Sequence, residues 1–396
     1  MSDINFFSDK INVKNKAILL RADFNVPIYD SRIQDKTRID LCIPFIETLL
    51  KKKAKLIIIS HLGRPGSIDK NKLSLKPVFE YLQTKLSKKV FFHTDTIDES
   101  TKKKISFLKE GEIVILENIR FNKGENQNDD EFSKMLAELG DIYINDAFSC
   151  SHRKQSSIHN VVKFSKEFYA GPLLRKEIEA INVVINSQKK PITCIIGGSK
   201  VSTKIGVLNS LIEKVDNIIL VGAMANNFLL YAGYKPGKSL IENNIQKIIK
   251  GIYDKATVSN CKIIVPLDCI VSDSLEGNPC NKNLDELGKN DMILDIGPKT
   301  ILEISNVISK SKIIFWNGPA GYFENEKFSN GTVSIAKKIS EATRNNTLLS
   351  IIGGGDTLSA LKIYTSNLKF THLSTAGGAF LEYIEGKNLP GIEVLK

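Results

Sequence analysis

The sequence predicts an α/β protein built from two doubly wound parallel-sheet domains joined by a helix. Short β-branched runs alternate with amphipathic stretches along the whole chain, the pattern of parallel strands covered by helices on both faces. Histidine, arginine, aspartate and asparagine gather where those runs end. A Gly171–Pro172 step opens a helical stretch near the middle, where a flexible linker would instead be rich in Gly and Ser. With 396 residues the chain has room for two or three domains, and two of this size each bury a full core.

In the first half, the runs at 17–21, 56–60, 89–92, 113–116 and 141–145 read as strands, with helical periodicity between them at 39–51 and 78–86. In the second half, strands are expected at 192–196, 217–221, 262–265, 312–316 and 348–352, and helices at 201–215, 300–309, 332–343 and 357–364. Residues 173–185 read as the joining helix. The expected division is a first domain at 1–170, a helix at 171–186 and a second domain at 187–375. No internal repeat or low-complexity segment interrupts it.

Hydrophobic residues make up 42% and charged residues 25%, ordinary for a soluble globular chain. The apolar runs are of strand length, too short to span a bilayer. The first residues, MSDINFFSDK, lack the basic-then-apolar order of a secretory signal, so a cytoplasmic location is expected. Six cysteines are scattered without CxxC spacing and read as reduced thiols. Three of them fall close together, at Cys261, Cys269 and Cys280, but no histidine joins them to suggest zinc.

The formal net charge of +11 suits a nucleic acid or an anionic small molecule. It is spread evenly, however. Residues 1–170 carry 29 basic and 23 acidic groups, and the remainder carry 26 and 21. Lysine runs such as 51–53 and 102–104 read as solvated faces. Arginine is rarer and less evenly placed: of eight in the chain, seven precede residue 176. A guanidinium offers a planar fork for phosphate or carboxylate that lysine cannot copy, so an anion site is expected in the first half.

Several motifs follow strands. RADFNVP sets Asp23 and Asn25 on a loop closed by proline; these residues suit substrate hydroxyls, though turn chemistry alone accounts for them. SHLGRP brings His61, Leu62, Gly63 and Arg64 after the second run, and ENIRF brings Arg120 after the fourth. Arg38 stands at the start of a predicted helix, where an anion gains both the fork and the helix N-terminus. Each arginine alone reads as a surface residue, but three after three different strands read as an anion cradle beyond the carboxyl ends of a sheet. Arg153, in the polar loop DAFSCSHRKQSS, adds a further anion contact; His152 beside it reads as structural.

In the second half, GGSKVSTK follows a strand and opens a predicted helix without the GxxxxGK[ST] spacing of a P-loop. Lys200 and Lys204 are four apart and are expected on one helical face, where an anion would relieve their repulsion. WNGPAGYFE holds the only tryptophan and ends in Glu324. GGGDT follows a strand and leaves backbone N–H groups free at a helix start, which suits phosphate, and Asp356 suits the Mg²⁺ that accompanies a nucleotide. STAGGAF is a second turn of small residues leading into a helix.

Taken together and in order, SHLGRP, ENIRF, GGSKVSTK, WNGPAGYFE and GGGDT resemble the phosphoglycerate kinase family from Asp23 to near the C-terminus. The resemblance implies two α/β (Rossmann-like) domains with a deep cleft and a hinge, and a monomer. It implies that residues 376–396 return to pack on the first domain. Substrate contacts to 3-phosphoglycerate or 1,3-bisphosphoglycerate then fall on Asp23, Asn25, Arg38, His61, Leu62, Gly63, Arg64, Arg120 and Arg153. Contacts to ATP or ADP fall on Lys204, Gly297, Glu324, Gly354, Gly355, Asp356 and Thr357, with Asp356 serving Mg²⁺. Arg38 and Lys204, helped by Lys200, are implied to stabilise the transferring phosphoryl group. The chain departs from the family pattern at Ser149 and Cys150, where Gly-Thr is usual, at Ala223 and Asn227, and at Ala376.

The expected reaction needs no general base, because both the ADP oxygen and, in reverse, the carboxylate are already ionised at pH 7. Positioning and charge neutralisation remain, and they require closure of one domain on the other. Two competing readings are disfavoured. A dinucleotide-binding dehydrogenase would carry GxGxxG after its first strand, which is absent. A nucleic-acid binder would concentrate basic residues and interleave aromatics among them, whereas here the charge is even. Neither a nucleic acid nor a membrane is expected as a partner.

Overall fold

A computed structural model describes residues 4–66 and 70–396. The chain forms two compact units: the first comprises the chain to Ile178 together with Asn388–Lys396, the second Glu179–Lys387.

The first unit is built on six parallel strands: β1 (Ala17–Arg21), β2 (Lys55–Ile59), β3 (Val90–His93), β4 (Ile113–Leu116), β5 (Ile142–Asn145) and β6 (Glu167–Ala170). Their order is β3-β4-β2-β1-β5-β6. Leu19 stands opposite Ile57 on one side and Tyr143 on the other. Leu56, Ile57, Ile58 and Ile59 are all fully buried because helices cover both faces, so the central strands read as continuous apolar runs and not as alternating ones. Strand β6 escaped sequence reading: EFYA is short, begins with a charge and is only partly buried at the sheet edge. The chain leaves β1 toward β2 and leaves β5 toward β6, in opposite directions. Between β1 and β5 the loops therefore part, and the crevice beyond their carboxyl ends is the place where such sheets bind ligands.

The helix Pro172–Asn186 carries the chain from the first unit into the second. There, β7 (Ile192–Ile196), β8 (Asn217–Leu220) and β9 (Lys262–Ile264) begin a second parallel sheet. An antiparallel excursion follows, β10 (Asp268–Ser272), β11 (Cys280–Asn283) and β12 (Met292–Ile296), in the order β11-β10-β12. Within it β11, CNKN, is polar, and its first two residues are exposed, so it carries no strand periodicity. The main sheet then resumes with β13 (Ile313–Asn317), β14 (Leu349–Gly353) and β15 (His372–Leu373), in the order β9-β8-β7-β13-β14-β15. Here the switch point lies between β7 and β13, whose following segments are the GGSKVSTK and NGPAGYF turns.

Two expectations are corrected. The helix expected from residue 201 begins only at Ile205, with Lys204 as its N-cap, because residues 201–204 form a turn. Lys200 and Lys204 therefore do not share a helical face. The C-terminal segment joins the first unit from Asn388, not from residue 376. Helix Gly378–Ile384 belongs to the second unit, where Phe380 stacks on Phe315 at 5.5 Å and Ser210 Oγ donates to the Ile384 carbonyl at 2.6 Å. In the first unit, the Gly391 N–H donates to the Ser151 carbonyl and Asn5 N–H to the Leu395 carbonyl, both at 2.8 Å, so the chain end braces the loop that follows β5.

Candidate functional site

The first unit gathers its charged residues at the β1/β5 switch point. Arg21 ends β1 and is completely buried. Its Nε donates to Ser157 Oγ at 3.0 Å and its Nη2 lies 3.1 Å from His61 Nδ1. Asp23, two residues on, receives Arg38 Nη1 at 3.1 Å and the Ser149 hydroxyl at 2.5 Å. Asn25 Oδ1 accepts the Gly63 N–H at 2.9 Å, tying the loop after β1 to the loop after β2. Arg38, in the first turn of helix Thr37–Lys51, also donates to the Asn25 carbonyl at 3.0 Å. Leu62 is buried, and its carbonyl accepts Asn118 Nδ2 at 2.7 Å. Arg120 donates through Nη1 to the Gly63 carbonyl, while its buried Nε and Nη2 have no partner among the described residues. Arg153 Nε donates to His152 Nε2 at 3.2 Å. Arg64 is exposed on the loop beyond Gly63.

The electrostatics follow from this crowding. Burial, reinforced by Arg21, Arg120, Arg153 and Arg38, pushes the His61 pKa well below the ordinary histidine value, so the ring is neutral at pH 7. Burial and the Arg153 and Arg21 charges bring Arg120 down to about 10, still protonated. Two carboxylates oppose four guanidinium groups: Asp23 and the fully buried Glu125, which holds Ser157 through its N–H at 2.9 Å and its hydroxyl at 2.7 Å. Unpaired buried donors are costly unless a partner satisfies them, and donors carried by a guanidinium suit an anion. Asp23, His61 and Cys150 also offer three ligand atoms within 4.8 Å of one another. Their acceptor atoms already face Arg21 and Arg38, so this group does not suit a metal cation.

The second unit presents two adjoining cavities that share Gly198, Ser199, Pro319 and Asp356. The smaller, about 290 Å³, is walled by Gly197, Gly318 and Gly354 to Thr357, with Lys204 beside them. Gly318 has φ +106, and a Cβ on it would collide with the Gly197 backbone, so the two turns approach this closely only as glycines. Thr357 Oγ1 accepts the Gly318 N–H at 2.8 Å and locks the β13 turn to the helix Gly355–Tyr364. Lys204 Nζ donates to Asn317 Oδ1 at 2.7 Å; burial lowers its pKa, against the pull of Asp356 and Glu385. The larger cavity, about 390 Å³, is an apolar slot bounded by Leu240, Pro266, Met292, Ile296 and Phe323, with Glu324 at its edge. An apolar slot thus opens onto an amide-rich turn, an arrangement that suits a flat ring bearing phosphates.

Gly297 and Lys200 are not among the residues that line these cavities. Gly297 caps helix Pro298–Lys310, and a Cβ there would land on the Asp268 carboxyl. Lys200 is exposed on the turn before Lys204, and its carbonyl accepts the Thr203 hydroxyl at 2.9 Å. Conversely, sequence reading overlooked Arg21, Ser157, Glu125 and Asn317. The available signal for Arg21 was a charge closing the otherwise apolar strand AILLR. The departures from the family pattern fit their surroundings: Ser149 binds Asp23, Cys150 is buried beside His61, Ala223 lines the slot, and Asn227 Oδ1 accepts the Glu242 N–H at 2.7 Å. Ala376 is buried, with its N–H donating to Ser374 Oγ at 3.2 Å.

A guanidinium cluster at one switch point and a glycine-walled, lysine-bearing cavity at another define a phosphotransferase of the two-domain α/β class. Residues 8–387 match the family model described as phosphoglycerate kinase. The chain is 45% identical over 390 residues to the phosphoglycerate kinase of Wolbachia sp. subsp. Drosophila simulans, covering 98% of each. It is 45% identical over 399 residues to that of Orientia tsutsugamushi, covering all of this chain and 98% of the other. Its fold is similar to the structure of phosphoglycerate kinase from Coxiella burnetii (TM-score 0.88, 40% identity) and to that from Pyrococcus horikoshii (TM-score 0.83, 30% identity), with 98% of each chain covered. The chain belongs to the phosphoglycerate kinase family.

Proposed function

We propose that the protein reversibly transfers a phosphoryl group from 1,3-bisphosphoglycerate to ADP, giving 3-phosphoglycerate and ATP, with Mg²⁺ accompanying the nucleotide. The observation that carries this reading is the arginine cluster around neutral His61, whose buried Arg120 donors call for an anion. The phosphoglycerate binds there, with Arg38, Arg120 and Arg153 on its charged oxygens and Asp23, Asn25 and His61 on its remaining polar groups. The nucleotide base enters the slot between Leu240 and Phe323, and its phosphates meet Lys204 and the amides of Gly354 to Thr357.

The exposed Asp356 carboxylate borders both cavities, which suits a cation held by one protein oxygen and the phosphates. When bound, Mg²⁺ supplies charge neutralisation to the phosphate oxygens. The protein's own contribution is positioning and charge: Arg38 and Lys204 receive the negative charge that spreads over the transferring group, and fixed amides need no reorganisation. Lys200, exposed on its turn, approaches the phosphates only if that turn moves. No side chain removes a proton, because both nucleophiles are ionised.

Donor and acceptor sites belong to different units, so transfer requires the units to close and exclude water. Scattering from a ternary complex no more compact than the free protein would reject closure. No described helix is long and apolar enough to cross a membrane. The decisive experiment is a coupled assay with ATP, Mg²⁺ and 3-phosphoglycerate. Turnover is expected, and folded protein without activity overturns the assignment.

A further inference from the structure

Behind the proposed substrate groups runs a buried chain of side chains that the phosphoryl transfer does not itself use. Glu125, Ser157 and Arg21 are completely buried, and His61 is nearly so. The hydrogen bonds between them have only one consistent direction. Arginine carries no acceptor, so Arg21 Nε donates to Ser157 Oγ at 3.0 Å. The Ser157 hydroxyl proton is then committed to Glu125 Oε1 at 2.7 Å, and the Ser157 N–H to Glu125 Oε2 at 2.9 Å. At the other end, Arg21 Nη2 donates across 3.1 Å to His61 Nδ1, which must present a lone pair. The Cys150 thiol, 3.8 Å from the same nitrogen, is also able to donate to it. A proton on Nδ1 would set N–H against N–H at this distance. In a neutral ring, the proton is therefore on Nε2.

The guanidinium itself has little freedom. Its Nη1 is engaged by the Ala22 carbonyl, and both of its tethers, Ser157 and Ala22, lie in the buried interior. Tyr143 adds a brace by donating its hydroxyl to the Ser157 carbonyl at 2.6 Å. Burial raises the Glu125 carboxyl, against the pull of the Arg21 charge and of the two hydrogen bonds from Ser157, so the Glu125–Ser157–Arg21 contacts oppose the cost of that burial. Side chains locked behind a site hold the group in front of them at one angle, as outer ligands do around a metal-bound histidine.

We propose that Arg21 is a positioning residue that, anchored by Ser157 and Glu125, holds His61 in the Nε2–H tautomer and so gives the phosphoglycerate a hydrogen-bond donor of fixed direction. This rests on the reading of His61 as a substrate contact. A donor suits the carboxylate or phosphate oxygens of an anionic ligand, which accept only, and the opposite tautomer would turn a lone pair toward them.

The test is nitrogen NMR of ¹⁵N-histidine-labelled full-length protein, with His61 assigned by its loss in His61→Gln. In the parent protein at pH 7, the expected pattern is a protonated Nε2 and a hydrogen-bonded, unprotonated Nδ1. Added 3-phosphoglycerate should shift Nε2 more than Nδ1. In Arg21→Met, the ring should lose this single tautomer, and KM for 3-phosphoglycerate should rise about tenfold, the worth of one hydrogen bond, with a smaller change in kcat. Should Arg21→Met fail to fold, Ser157→Ala removes the Arg21 anchor without changing charge and should shift the tautomer in the same direction. A protonated Nδ1 in the parent overturns the proposal, as does an unchanged tautomer in either variant. The Nε2–H pattern with neither nitrogen responding to 3-phosphoglycerate overturns instead the placement of His61 at the substrate, while leaving the buried chain intact.

Discussion

Replacing Gly297 by alanine separates a structural role from a nucleotide contact. The residue has φ −83, so its backbone conformation suits alanine and carries no strain. The difficulty is space, because the new Cβ falls on the carboxyl of Asp268, which is completely buried. That carboxyl accepts Lys299 N–H at 3.0 Å, Thr300 N–H at 2.9 Å and the Thr300 hydroxyl at 2.7 Å, and so caps helix Pro298–Lys310. It cannot withdraw without breaking some of these bonds. Charge-assisted hydrogen bonds contribute about 1.5–3 kcal/mol each, so losing one or two costs about 1.5–6 kcal/mol. That is a large share of the roughly 5–15 kcal/mol that stabilises a typical domain. The single tryptophan, Trp316, is fully buried in the second unit, so its fluorescence during urea unfolding reports this unit directly. Gly297→Ala should lower the midpoint accordingly. Asp268→Ala should be harmful alone, yet the double variant should be no worse than Asp268→Ala, because the obstacle is gone. A stability within about 0.5 kcal/mol of the parent, or strictly additive losses in the cycle, would refute the steric reasoning. A raised KM for ADP at unchanged stability would instead support Gly297 as a nucleotide contact.

Three further outcomes follow from the same structure. Arg38→Ala should lower kcat by about 10²–10³-fold, the usual cost of one transition-state donor, while circular dichroism stays that of the parent; an unchanged turnover number rejects its role. Lys204→Ala should lower kcat by a similar factor of about 10²–10³ and leave Asn317 without its 2.7 Å donor, and near-normal turnover rejects that assignment. Burial raises the Asp146 carboxyl from 3.8 to about 7, against the pull of the Leu174 and Leu173 N–H groups. The folded chain thus binds this proton more tightly than the unfolded chain. The Asp146 contribution is fully favourable only at low pH and is lost as pH rises from about 4 to about 7. Asp146→Asn should therefore gain on the parent by about 1–3 kcal/mol in urea unfolding between pH 5 and pH 8, and a difference that does not change with pH refutes it.

The sequence by itself determined the alternation of strands and helices, the two-domain plan and the identity of the groups that end each strand. These are local matters: a β-branched run such as LIII at 56–59 carries its own periodicity, and SHLGRP or GGGDT carries its own turn chemistry. It also made visible the scarcity of arginine and its concentration in the first half of the chain. What only tertiary structure decided is how groups distant in sequence meet. Arg21 looks like the last residue of a strand until Ser157, 136 residues away, accepts its Nε, and until His61 turns a lone pair toward it. Gly297 sits within a conspicuous Gly-Pro helix start, but the reason for the glycine is a carboxyl on the neighbouring strand β10. Lys200 and Lys204 have helical spacing, yet the chain between them turns before the helix begins, and only Lys204 reaches the cavity. Spacing reports what one element does alone. Burial and the hydrogen bonding of buried groups are properties of the assembled unit, and they set the tautomer of His61, the partner of Lys204 and the position of Arg21.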